Sequence, residues 1–130
     1  MAMKTFLNLP VKDLNRSVEF FTALGFTFDQ NFTDENATCM VINDDSYAML
    51  LVEPFFKSFI TKDLADSTKV TEVITALTAD SREEVDQLVA KAREAGSPRI
   101  GEVVEEGPMY SRSFEDPDGH TWEIFHMPLD

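Results

Sequence analysis

The sequence predicts an α+β fold made of two βαβββ modules, and three observations carry that prediction. The first is a repeat. Aligning Asp13 with Asp80 also aligns Val18 with Val85 and Phe21 with Leu88, so the apolar stripes of two predicted helices run in phase. The second is the order of elements. Each helix follows a short apolar strand and precedes three further strands separated by turn-forming residues. The third is the hairpin near the C-terminus, Asp116-Pro117-Asp118-Gly119. Proline sets the first central φ of a type I turn, the acidic side chain beside it can bond the backbone, and glycine supplies the exit.

The elements follow in order. A strand over 6–11 leads to a helix capped by Asp13, which carries Val18, Phe20, Phe21 and Leu24 and stops at Gly25. Strands over 27–33, 37–43 and 47–53 complete the first module, with Asp34-Glu35-Asn36 and Asp44-Asp45-Ser46 as the turns between them. The second module repeats this plan. Its first strand covers 73–79, and its helix opens on Ser81-Arg82-Glu83-Glu84, a capping box, before ending at Gly96. The two glycines are offset from the Asp13/Asp80 alignment in a way that makes the second helix longer by about one turn. Strands over 100–105, 109–115 and 120–127 follow. The modules thus span about 1–54 and 71–130, joined by a connector over 55–70. Phe55, Phe56, Phe59 and Ile60 make that connector too apolar for a solvated loop, and they are expected to cover the core.

Composition limits the functions open to this chain. At 130 residues, 43% apolar and with 11 Phe, it can bury a core and fold alone. Lys plus Arg number 11 against 24 Asp plus Glu, a formal charge of −13 with no basic run. Nucleic acid and anionic membrane are therefore excluded as partners, because the electrostatic term that drives such binding would be repulsive. Cys39 stands alone, so no internal disulfide forms, which fits a reducing compartment. No apolar stretch is long enough to span a bilayer, and the N-terminus lacks the order of a signal peptide, so the expected location is cytoplasmic.

Two βαβββ modules ending in SFEDPDGHTWEIF resemble the vicinal oxygen chelate superfamily, which includes glyoxalase I, bleomycin-resistance, fosfomycin-resistance and extradiol-dioxygenase families. The motifs SREEVDQLV, AKAREAG and GPMYSRSFEDPDGHTWEIF look most like a bacterial subgroup labelled predicted lactoylglutathione lyase. The resemblance implies a curled mixed sheet forming a cup, with helices outside. It also implies four inward side chains that hold a divalent metal, on which two substrate oxygens chelate. Carried over position by position, the four are Phe6, Leu50, Val73 or Ile74, and Glu123, of which Glu123 alone has a donor atom. One carboxylate among apolar groups has little affinity for Zn²⁺, Ni²⁺ or Fe²⁺. No cofactor is therefore expected, and a divalent metal is disfavoured.

Alternation along the last strand puts Thr121, Glu123 and Phe125 on one face, and Trp122, Ile124 and His126 on the other. The expected cup lining is Phe6, Asn8, Leu50, Thr121, Glu123 and Phe125, joined by Tyr110 and Arg112 if the preceding strand has the favourable parity. Arg112 would then stand where it can pair with Glu123. Three substitute ligands fail. His120, just after the turn, is expected in solvent, His126 faces away from Glu123, and Glu53 lies on the wrong face relative to Leu50. The resulting expectation is a protein that binds a small, largely apolar molecule in a dry cup. The alternative is a lyase or isomerase that uses Glu123 as general base or metal ligand. Pairing of the superfamily's single-chain members, together with the aromatic connector, leads us to expect a homodimer.

Overall fold

The computed structural model describes residues 3–128. The chain divides into two compact units, Met1–Ala65 and Asp66–Asp130. In the first, β1 (Thr5–Val11), α1 (Leu14–Ala23), β2 (Thr27–Asp29), β3 (Ala37–Val41) and β4 (Ser46–Val52) are followed by a short helix, α2 (Glu53–Lys57). In the second, β5 (Ile74–Thr78), α3 (Arg82–Glu94), β6 (Val104–Glu106), β7 (Met109–Glu115) and β8 (Thr121–His126) repeat the same plan. Each unit holds one open four-stranded mixed sheet, ordered β1-β4-β3-β2 and β5-β8-β7-β6. In each the first strand runs parallel to the last and the remaining pairs are antiparallel. The α+β architecture of two βαβββ modules is thus the one the sequence predicts.

Local chemistry explains the helix boundaries. The Asp13 carboxylate accepts a hydrogen bond from the Arg16 amide at 3.1 Å, and the Ser81 hydroxyl accepts one from the Glu84 amide at 3.1 Å. Glu84 reaches back as a capping box requires, but it accepts from Asp80 N–H at 2.7 Å, one residue further out than the box predicts. Acids fill the first turn of α3 and Lys91 and Arg93 its last, as the helix dipole favours. Gly25 and Gly96 follow their helices at φ 104° and 95°. The second helix has 13 residues to the first's 10, the expected difference of nearly one turn.

Each helix shields one face of its own sheet. Val85, Val89 and Ala92 on α3 are buried, and so are Phe114, Trp122 and Ile124 on the strands that α3 contacts. In the first unit Phe20 and Phe21 on α1 are buried, as are Ala48 and Leu50 on β4 and Met40 on β3.

Several strand limits differ from expectation, each for a local reason. The 27–33 strand stops at Asp29, whose side chain accepts from the Asn31 amide at 2.9 Å while its carbonyl accepts from the Thr33 hydroxyl at 2.8 Å. These bonds hold Gln30–Phe32 in a 3₁₀ turn. Strand 37–43 ends at Val41, because Ile42 and Asn43 already donate to Ser46 across the turn. Glu53 does not end a strand but opens α2, where Pro54 sits in the first turn, the helix position that tolerates proline. The connector aromatics are not all core. Phe55 and Phe56 are half-buried, and Phe59, in edge contact with Phe55 at 5.1 Å, is 69% exposed. Strand 100–105 is broken into a single bridge, Ile100 to Phe114, and the later β6. Strand 120–127 begins at Thr121, because His120 N–H is engaged by Asp116.

Candidate ligand-binding faces

Glu123 lies in the middle of β8, half-buried, with Ala76 of β5 on one side and Ser113 of β7 on the other. Thr121 and Phe125 share its face, as alternation predicts. Ile74 pairs with Thr121 and so stands on this face too, whereas Val73 precedes the strand, which settles the register between them. No helix of the second unit covers this face, since α3 lies on the other.

Tyr110 and Arg112 do not join Glu123. The five residues between Glu115 and Thr121 set Glu115 opposite Thr121, so Tyr110 pairs with His126 and Arg112 with Ile124, on the face beneath α3. There the Tyr110 hydroxyl donates to Asp86 Oδ1 at 2.7 Å, and Arg112 Nη1 approaches the same oxygen at 3.3 Å. The bond to Asp86 is the main reason the Tyr110 phenol is pushed above its ordinary pKa, with burial adding to it. Arg82 stacks over the Tyr110 ring at 5.1 Å and pairs with Glu105 at 2.8 Å. The sequence could not reveal this cluster, because Asp86 is an unremarked helix acid until α3 is laid on β7. His126 behaves as its parity predicts, its Nδ1 lying 3.1 Å from the Ala79 carbonyl.

In the first unit the sheet face opposite α1 carries Phe6 and Asn8 on β1. Phe6 is 49% exposed and stacks on Tyr47 of β4, with ring centroids 4.8 Å apart and planes at 14°. Asn8, paired with Met49, donates from Nδ2 to the Phe6 carbonyl at 3.2 Å. Leu50 does not share this face. It pairs with Leu9 and Thr38, is fully buried, and belongs to the row shielded by α1. Parallel pairing of Phe6 with Tyr47 brings the odd-numbered residues of β4 to the Phe6 side, so Tyr47, Met49 and Leu51 stand where Leu50 was expected. Cys39, paired with Met49, is buried on the same side, and burial pushes its thiol pKa up, with Asp29 adding to the shift.

The hairpin that leads into β8 is held by a buried carboxylate. Asp116 is 1% exposed. Its Oδ1 accepts from the Asp118 and His120 amides at 3.0 Å each, and its Oδ2 accepts from the indole N–H of Trp122 at 3.1 Å. Gly119 N–H closes the turn on the Asp116 carbonyl at 2.9 Å. His120 is not left in solvent as expected. It is half-buried, with Nδ1 3.0 Å from the Ser67 hydroxyl, because residues 66–70 form a turn that docks on the hairpin tip.

Burial raises the Asp116 pKa above the ordinary carboxylate range, against the opposing pull of the nearby His120 charge and of the indole and amide donors. A folded pKa above the unfolded one gives a contribution to stability that is fully present below the unfolded pKa and is lost as pH rises through the folded one. Relative to Asp116→Asn, the wild-type chain is therefore expected to lose urea resistance as pH rises above the ordinary carboxylate value of about 4. A difference in unfolding midpoint that stayed constant, or that grew in favour of wild type toward neutrality, would contradict this assignment.

Two βαβββ units, each a four-stranded mixed sheet with a helix packed on one face, define the structural class. Residues 4–43 match the family model described as bleomycin resistance protein-like N-terminal. A hypothetical protein from S. aureus is 31% identical, with a TM-score of 0.82 over 97% of this chain and 95% of that one. A glyoxalase-related enzyme from Fulvimarina pelagi has a TM-score of 0.84 at 18% identity, over 99% and 91% of the two chains. An antibiotic binding protein from Streptomyces sp. CB03234 has a TM-score of 0.70 at 16% identity, over 98% of each. Among curated proteins none matches this chain in sequence. The chain shares the fold of the glyoxalase, bleomycin-resistance and dioxygenase proteins of the vicinal oxygen chelate superfamily, and its N-terminal third matches the bleomycin resistance protein-like family model.

The metal that this superfamily implies does not fit the residues present. On the faces opposite α1 and α3, Phe6, Tyr47, Met49, Leu51, Ile74 and Ala76 supply no carboxylate, imidazole or thiolate, and Glu115, diagonally across from Glu123, is the other acid near it. Among the described residues no group of three His, Cys, Asp or Glu side chains is placed to hold a metal ion. Nor is any helix among them long and apolar enough to cross a membrane.

Proposed function

We propose that the protein binds a small, largely apolar molecule at the sheet face that carries Glu123, without the metal that the vicinal oxygen chelate superfamily implies. The observation that carries this reading is the set of side chains at the positions where the superfamily would place metal ligands. Phe6, with its stacked partner Tyr47, and Ile74 are apolar or aromatic, and Glu123 is the one carboxylate among them. Within the second unit, Ile74 and Phe125 share the face of Glu123, and aliphatic and aromatic side chains beside a carboxylate suit an apolar ligand with a polar anchoring function. The fold is shared with an antibiotic binding protein, which supports a binding role on this scaffold.

A second reading, a lyase or isomerase with Glu123 as general base, is supported by the carboxylate having no hydrogen bond or ion pair with another described residue. It lacks an evident partner for the negative charge that proton abstraction would create, and preorganised stabilisation of such charge is usually the largest catalytic term. We also propose a homodimer, for which the exposed Phe59 of the connector offers apolar surface.

Native mass spectrometry of protein purified from cells addresses these points together. The expected spectrum shows two chains, a co-purifying organic mass released on denaturation, and no stoichiometric metal. One metal per chain, together with turnover of the methylglyoxal–glutathione hemithioacetal that is lost in Glu123→Ala, would restore the enzyme reading. A monomer at tens of micromolar would remove the dimer.

A further inference from the structure

On the premise that the sheet face carrying Glu123 receives the ligand, we propose that Glu123 selects an organic cation, an apolar molecule carrying a protonated amine.

The argument begins with what does not touch Glu123. Its carboxylate is half-buried, and no other described residue gives it a hydrogen bond or an ion pair. The rows that share its face, read from the strand register, contain no Lys, Arg or His. The nearest guanidinium in sequence along β7, Arg112, is turned to the opposite face and engaged by Asp86. A partly desolvated carboxylate without a donor is costly, and a ligand that supplies a cationic donor recovers that cost as a charge-assisted hydrogen bond. The side chains around it fit an ammonium group. Ser113 lies directly across and Thr121 two residues along, and each hydroxyl can accept an N–H while Glu123 accepts another. Phe125 stands two residues along in the other direction on the same face and adds an aromatic side chain beside the cation's apolar part. An anionic ligand would instead meet Glu123 and, diagonally across, Glu115, with no positive group on the face to offset them. The formal charge of −13 adds a long-range field that draws cations toward the molecule.

The test uses three naphthalene probes of matched shape, titrated calorimetrically into the full chain at fixed ionic strength. They are 1-naphthylmethylammonium, 1-naphthalenemethanol and 1-naphthoate. The ammonium is expected to bind about tenfold tighter than the alcohol, as one charge-assisted hydrogen bond would produce, with the carboxylate weakest. In Glu123→Gln, a shape-conserving change, the ammonium preference should fall to within about twofold, whereas Glu35→Gln, the same charge change in an exposed loop, should leave it intact. Equal binding of all three probes would overturn the cation preference while leaving the apolar-binding reading in place. Binding of none would overturn both. An ammonium preference that survives Glu123→Gln would assign the effect to the whole molecule's charge and overturn the role of Glu123.

Discussion

Trp122→Ala is expected to be among the most destabilising single substitutions in this chain, costing about 3–5 kcal/mol for the lost ring and the cavity it leaves. Trp122 is 0% exposed, in the row of β8 covered by α3, between Phe114 on β7 and Thr75 on β5. The indole also donates to Oδ2 of the buried Asp116 at 3.1 Å, so the truncated chain would leave that carboxylate oxygen without this donor, at a further cost of about 1–3 kcal/mol. A domain of this kind has about 5–15 kcal/mol to lose, so the sum approaches unfolding. Trp122→Phe separates the two contributions, because it keeps most of the ring volume and removes the N–H donor. Urea denaturation followed by circular dichroism would read both variants. A Trp122→Ala loss below about 1 kcal/mol would mean that the site collapses freely, against close packing around the indole.

Gly119→Ala is expected to cost about 2–3 kcal/mol, clearly more than Gly25→Ala. Both glycines have positive φ, 86° and 104°, so each alanine pays about 1–2 kcal/mol for the left-handed conformation. Their surroundings differ. A Cβ at Gly25 would meet nothing within 4 Å, whereas one at Gly119 would lie 2.8 Å from the Ser67 carbonyl oxygen and 3.0 Å from the Thr68 nitrogen. Those are backbone atoms, which cannot rotate away. The 66–70 turn would have to lift from the hairpin and give up the Ser67–His120 hydrogen bond, worth about 1 kcal/mol. Hydrogen exchange should therefore quicken in residues 66–70 in Gly119→Ala and not in Gly25→Ala. Equal losses in the two variants, with exchange unchanged, would show that the docked turn adds nothing.

These two positions mark different depths of legibility. The glycine of Asp116-Pro117-Asp118-Gly119 was readable as a turn residue from local chemistry alone, but its contact with Ser67 joins residues far apart in sequence. Asp116 was readable as a turn former, yet its burial and its bond to the Trp122 indole were not. Leu50, Tyr110 and Arg112 failed for one shared reason. Alternation within a strand says which residues face together, but the parity between neighbouring strands is set by the register, and a shift of one residue moves every side chain to the other face. Phe6 opposite Tyr47 and Glu115 opposite Thr121 are facts of pairing, and each reversed a face assignment made from one strand alone.

The sequence by itself determined what repeats and local chemistry encode: two βαβββ modules, helices begun by Asp13 and Ser81, a hairpin at the DPDG turn, and Thr121, Glu123 and Phe125 on one side of β8. These rest on side-chain periodicity and short-range hydrogen bonds, which need no distant partner. Only the tertiary structure decided that Arg112 answers Asp86 rather than Glu123, that Tyr47 and Met49 rather than Leu50 accompany Phe6 and Asn8, and that Glu123 has no hydrogen-bond or ion-pair partner among the described residues. Each of those outcomes depends on strand register and on which face the helix covers, and both are settled by packing of the whole unit.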